Sequence, residues 1–395
     1  MKKILVILIA LAVVGFFAFA DDAAMAPAPQ GQFHAWNFGE FFPYLSSGGG
    51  SAQVGWGPDW DPNGGVDQEW TFSYDGKGYG FAGTFEFGMG NFGQSTNGWG
   101  AFQSWNVYFD VTKYAKFSAG QLDVGDYRYT TFIEGGANSR FGQRSYSGML
   151  QLFPIDGLSL AVLEEVPGIS NLSGLIGYDA TGKSYNASGA AWGTVSNTTD
   201  YGKYTNFAAS YEMKDVAKAY FAYNASAQEI SIGVNVSALK PLGLQVVYDD
   251  DYASGVATST VWLTASYPVG PLALSLDAGF MSGDYQNMAG TGTAMAAEIQ
   301  GKYTMGQVSV GANIGYDDGK GIGLFGGQAA EWTGLEVYPF VQYNFDNGSD
   351  INIGILYASG ANAGGGVLEG ASWNAASYGY SASLFAIPIT FTWSF

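Results

Sequence analysis

The chain has 395 residues, of which 47% are hydrophobic, 16% aromatic and only 12% charged. So few charges cannot coat the surface of a water-soluble protein of this size. Its 34 acidic against 15 basic residues give a net charge of -19, which excludes nucleic acid as a natural partner, because phosphate recognition needs clustered Lys and Arg.

At the N-terminus, Lys2 and Lys3 precede an unbroken apolar run from Ile4 to Phe19, and Ala18-Phe19-Ala20 supplies a small-x-small cleavage site. This pattern predicts a secretory signal peptide over residues 1–20, a short segment over 21–30 and one domain over 31–395. Without its two lysines the exported chain has 13 basic against 34 acidic residues, a charge of -21. No later stretch offers the roughly 18 consecutive apolar residues that a membrane helix needs. An exported chain this apolar, without such a helix, predicts a closed transmembrane β-barrel. Such a barrel satisfies its backbone between strands and builds its lipid face from alternate residues only.

His34 is the single histidine and there is no cysteine. Serine-histidine or Asp-His hydrolysis would have to use His34, which also suits a structural place beside Trp36 at a membrane interface; no catalytic residue is predicted. Asp59, Asp61, Asn63, Asp67 and Glu69, with Gly64 between them, have the alternating spacing of a calcium loop. The last carboxylate comes one position early and no helices flank the segment, so a solvated acidic loop is the competing reading.

Turn residues recur between apolar segments at Asp75-Gly76-Lys77-Gly78, Phe153 to Gly157, Ala238 to Gly243, Tyr267 to Pro271, Tyr303 to Gly306 and Phe345 to Gly348. They alternate with long Gly/Ser/Asn/Asp-rich segments at 89–99, 125–143, 167–202, 317–331 and 359–380. Short turns on one rim and long loops on the other are the asymmetry of a membrane barrel. The loop 167–202 contains GYDATGKS at 177–184, a P-loop by letters alone. A phosphate-binding P-loop needs a helix starting at its Lys-Ser, and the Gly/Ser/Asn/Thr tract that follows has no helical period, so the match is a coincidence. Asp249, Asp250, Asp251, Asp317 and Asp318 read as acids of the long-loop rim.

Period-two alternation is cleanest in the second half. Ile230, Ile232, Val234 and Val236 alternate with Ser231, Gly233 and Asn235; the same pattern runs over 242–249, 272–280 and 307–316. The polar partners are mostly small, which suits an enclosed lumen better than open water. By parity, Glu69, Glu86, Asp277, Glu298, Lys302 and Glu336 face that lumen, with Gln151, Asn235, Gln245, Gln300, Gln342 and Asn352. Trp262, Tyr338 and Phe340 also point inward, where aromatic faces could stack on a saccharide. The count predicts about 18 strands, with 16 as the alternative.

The chain ends FAIPITFTWSF, with Phe391, Trp393 and Phe395 on one face and Pro388 suited to a bulge near the seam. This closing segment resembles that of Gram-negative outer-membrane β-barrel porins, in which it is the signal read by the barrel assembly machinery. Residues 125–143 hold Arg128 and Arg140 with Glu134 near a Gly-Gly pair, and Arg144 follows; these are the only arginines in the chain. They follow the fifth counted strand and are similar to the constriction loop of general porins. The resemblance implies a loop folded inward to set arginines against lumen carboxylates; the alternative is a surface loop whose arginines bind lipid phosphates or loop acids. It further implies an outer-membrane location among lipid, no organic cofactor, and a possible homotrimer. The expected activity is passive diffusion of small hydrophilic solutes and ions, with cations preferred by the acidic lumen. A saccharide-selective channel and a surface adhesin are the rival functions.

Overall fold

A computed structural model describes residues 30–46, 53–57, 65–90, 98–122, 127, 145–165, 177–178, 184–185, 204–225, 228–251, 256–285, 292–321, 332–346, 348–359 and 383–394. The predicted signal peptide and the predicted segment before residue 30 lie outside them. In chain order the wall strands are β1 (Gln30–Ser46), β2 (Gln53–Gly57 continued by Gly65–Asp75), β3 (Tyr79–Gly90), β4 (Gly98–Thr112), β5 (Ala115–Leu122) and β6 (Ser145–Ile155). They continue as β7 (Leu158–Glu165), β8 (Thr205–Met213), β9 (Ala217–Asn224), β10 (Glu229–Val236), β11 (Gly243–Asp251) and β12 (Val256–Val269). The last six are β13 (Leu272–Tyr285), β14 (Gly292–Met305), β15 (Val308–Lys320), β16 (Trp332–Asn344), β17 (Asp350–Gly354 continued by Leu356–Ser359) and β18 (Ser383–Ala386 continued by Ile389–Ser394).

The sheet contains 21 paired segments, and three collinear pairs of them each make one wall strand, which leaves 18. Both halves of β2 pair with β1, Gln53–Gly57 against residues 40–44 and Gly65–Asp75 against residues 30–39. Residues 58–64 between them, which carry most of the predicted calcium loop, lie outside the described residues. Every neighbouring pair is antiparallel, and β18 pairs with β1, for example Phe391 with Gly39, so the sheet closes on itself. Among the described residues closure leaves no unpaired edge strand, which is the condition for a β-structure in hydrocarbon.

The alternation read from the sequence is realised across the wall. Ile232, Val246, Val261, Phe280, Ile299, Ile314 and Val341 are exposed on the outside, while the residues between them are buried or half-buried on the inside. On the short-turn rim eight connections join β2–β3, β4–β5 and so on to β16–β17. Six were foreshadowed by glycine-containing turns, and Gly78, Gly157, Gly270, Gly306 and Gly348 take the positive φ those turns need. Two carry no glycine: Lys113-Tyr114, and Lys214 to Val216, where Asp215 itself adopts φ 61°. Without a glycine they give no strong turn signal in sequence. Pro388 interrupts β18 as foreseen, and its carbonyl still accepts the Gly354 N–H at 3.1 Å.

Candidate channel wall

Strand register assembles the inward polar residues into one belt. Lys218 stands opposite Asn235, Asn235 opposite Gln245, Gln245 opposite Thr264, and Thr264 opposite Asp277. The belt continues from Asp277 to Glu298, across Gly315, to Glu336. Eight neighbouring strands, β9 to β16, thus contribute one residue each to a row that runs obliquely across the tilted wall. Thr264 donates a 2.6 Å hydrogen bond to Asp277, fixing the first carboxylate of the row. Asp277, Glu298 and Glu336 are only 0%, 2% and 3% exposed, so none of them is a freely hydrated side chain.

Lys302 lies four residues along β14 from Glu298, about 13 Å nearer the short-turn rim, opposite Gly311. The structure therefore keeps the predicted cation apart from the carboxylate row. Asp317 is a correction: it is not a loop acid but an inward residue of β15, buried between Ala296 and Gly334 one step beyond the belt. Its parity with Ser309, Gly311, Asn313 and Gly315 was the available signal. Asp249 likewise lies within β11 and not beyond it. Glu86 stands on β3 with Glu69 of β2 as its register partner.

The inward aromatics lie down on the wall. A Cβ on Gly279 would collide with the ring of Trp262, and one on Gly354 with that of Tyr338. The Tyr338 hydroxyl donates to Asn352 at 3.2 Å, and its ring stacks on Phe340 with centroids 5.5 Å apart. Trp262 and Tyr338 are 2% and 4% exposed, so neither offers a free face for stacking on a sugar.

Tyr127, within the predicted constriction loop, is the residue that sequence reasoning passed over. Five residues beyond the end of β5, it is fully buried in a cluster with Leu122, Met149, Ala161, Leu163, Ala208 and Ala222. Ala161, Ala208 and Ala222 are register partners across β7, β8 and β9, and form a shelf of small side chains on the inner wall. The Tyr127 hydroxyl accepts a 3.2 Å hydrogen bond from Gln151 of β6 and is hydrogen-bonded to Ser159, the second residue of β7. Ser159 adjoins a short turn, so Tyr127 lies well down the barrel from the long-loop rim at which β5 ends.

Arg128, Glu134, Arg140 and Arg144 lie outside the described residues, as do Asp59, Asp61, Asn63 and Phe395 and the side chains of Asp67, Glu69 and Glu86. Trp393 and Phe391 belong to β18, paired with Asn37 and Gly39 of β1, and Trp393 is exposed on the outer face. His34 pairs with Thr71 of β2, whose hydroxyl is 3.3 Å from that of Thr84 on β3. At 177–184, Ser184-Tyr185 forms a strand pair with Gly177-Tyr178 where a P-loop would begin a helix.

No family model matches the chain, and no curated protein matches its sequence. Solved structures match in shape. OccK7 (OpdD) of Pseudomonas aeruginosa superposes with a TM-score of 0.52 at 12% identity, covering 95% of this chain and 99% of that one. The anion-selective porin from Comamonas acidovorans gives 0.52 at 13% identity, over 93% and 100% of the two chains. OpdL of Pseudomonas aeruginosa gives 0.52 at 11% identity, over 93% and 98%. The fold is that of the outer-membrane porins. At these identities the likeness carries architecture alone. In a porin barrel the short turns lie on the periplasmic rim and the long loops outside.

Proposed function

We propose that this chain is an outer-membrane porin through which small hydrophilic solutes and ions diffuse down their gradients. The observation that carries this reading is the closed wall of 18 strands among the described residues, with aliphatic and aromatic side chains outside and a row of mostly polar residues across eight strands inside. Barrels of this width enclose more space than their own side chains fill, and so hold a water-filled path. The belt has three carboxylates and one ammonium group, Lys218, at its end, and the exported chain has a charge of -21 by the count above. Both features support a preference for cations. An inward Tyr127 supports a loop 125–143 that enters the lumen, bringing Arg128, Arg140 and Arg144 towards the carboxylate side and narrowing the path. Calcium held by Asp59, Asp61, Asn63, Asp67 and Glu69, a homotrimer, and recognition of Phe391, Trp393 and Phe395 by the assembly machinery remain parts of this proposal.

The test is planar-bilayer conductance of the refolded chain, with the reversal potential measured in a KCl gradient. A nanosiemens-scale current reversing on the cation side is the expected result. An inserted barrel that passes no current overturns the channel reading in favour of a surface adhesin. A current blocked saturably by a sugar favours a saccharide channel.

A further inference from the structure

We propose that the channel conducts cations more readily from its long-loop end to its short-turn end than in reverse, because the short-turn end carries no net negative charge. This inference rests on the porin reading and adds a direction to it. In the eight short turns and the four strand residues on either side of each, seven lysines stand against seven Asp and Glu. Two of these lysines are held in place: Lys240 lies 3.7 Å from Asp215 of the neighbouring turn, and Lys116 lies 4.1 Å from the centre of the Tyr108 ring. At the opposite end, the four terminal residues of each wall strand hold nine Asp and Glu, on β7, β10, β11, β13 and β15, against one lysine, Lys320. Pairing cannot erase the difference. The exported chain has 13 basic and 34 acidic residues by the count above, so the neutral end leaves six basic residues for 27 acids in the rest of the molecule.

At 0.1 M salt the screening length is about 10 Å, so the charge of one end reaches well into the water of the passage; at 1 M it is about 3 Å. The acidic end gathers cations and holds anions back. When the voltage drives cations from that end towards the neutral one, anions entering from the neutral end are stopped on the way. Both ions then accumulate in the passage and conductance rises. Under the opposite voltage both are swept out of the neutral half and conductance falls. The bias acts on conductance alone and moves nothing without a driving force.

The test uses the full chain in planar bilayers, with current–voltage curves in symmetric 0.1 M and 1 M KCl, both concentrations chosen from the screening lengths above. The chain has no cysteine. A maleimide too bulky to pass the channel, added to one chamber, therefore reports through Lys214→Cys which way the short turns face. At the lower salt the current is expected to be about 1.5–2-fold larger when the long-loop side is positive, and the asymmetry to vanish at the higher salt. Combining Lys77→Glu, Lys113→Glu, Lys214→Glu and Lys240→Glu, all exposed turn residues, makes both ends negative. It is expected to remove most of the asymmetry while cations stay preferred. A linear curve at low salt, an asymmetry of the opposite sign, one that persists at high salt, or one that the four substitutions leave unchanged overturns the inference. Should the fourfold variant fail to insert, the salt series on the wild type decides alone. An inserted wild-type barrel that passes no current refutes the porin reading instead, whereas a linear current leaves that reading standing.

Discussion

Glu298 stands directly opposite Asp277 across β13 and β14, so two carboxylates share one register position on the inner wall. Like charges at directly opposed positions are destabilising, by about 0.2–1 kcal/mol on the scale of cross-strand pairs. A wall optimised for stability alone would not place them there, and Glu336 extends the row two strands further. Glu298→Gln is therefore expected to leave the barrel at least as stable as the parent and to weaken its preference for cations. At roughly 8 Å in water a unit charge acts on a passing ion with about 0.5 kcal/mol, a factor of about 2 in relative permeability. The reversal potential in a KCl gradient measures this directly; a twofold fall is expected for Glu298→Gln and a larger one when Asp277→Asn is added. An unchanged reversal potential would mean that the row only braces the wall.

Tyr127 offers a second test, separable into its hydroxyl and its ring. Tyr127→Phe removes the bonds to Gln151 and Ser159 and is expected to cost about 1–3 kcal/mol, since Gln151 is itself buried. Tyr127→Ala also empties the shelf of Ala161, Ala208 and Ala222, and is expected to cost about 3–5 kcal/mol. The midpoint of the heat-modifiable gel shift should fall in that order. Equal midpoints for the two variants would assign the whole effect to the hydrogen bonds.

The chain's path away from β5 gives a third prediction. Gly120, two residues before the end of β5, has φ 143°, and a Cβ there would strike the Trp105 carbonyl oxygen and crowd Asn106 Cα. These neighbours are backbone and cannot swing aside. Gly120→Ala is expected to cost on the order of 1–3 kcal/mol and to lower refolding yield in detergent. A yield equal to the parent would show that β5 relaxes locally without loss.

Much of the fold was legible because a barrel writes its geometry into the sequence at period two. The pattern from Ile230 to Val236 shows which side of the wall each residue occupies, and parity alone puts Asp277, Glu298 and Glu336 inward. What parity cannot supply is register. Nothing local tells that Asp277 meets Glu298 or that Gln245 meets Thr264, because those pairings are set by how far each hairpin slides at its turn. Nor does parity give the posture of a side chain: Trp262 and Tyr338 point inward as read, but that they lie on Gly279 and Gly354 depends on the neighbouring strand. Tyr127 was hidden for a different reason. It sits outside any periodic segment, next to Arg128, and its partners Gln151 and Ser159 are distant in sequence.

Adjacent positions on β14 test the two faces against each other. Ile299 is 57% exposed on the outside, flanked in register by Leu276 and Ile314, whereas Gln300 faces inward and donates a 3.0 Å bond to Asn313. Both lie near the middle of a strand running from Gly292 to Met305, so they differ in face and hardly in depth. A lysine on the lipid face near mid-bilayer costs about 2–4 kcal/mol, while an inward lysine keeps water and the carboxylate belt within reach. Ile299→Lys is thus expected to lower the yield of inserted barrel in lipid vesicles severely. Gln300→Lys should insert with near-parental yield and shift the reversal potential towards anions. Equal insertion of the two variants would mean that the outer face of β14 does not meet hydrocarbon, and the membrane orientation of the whole wall would fall with it.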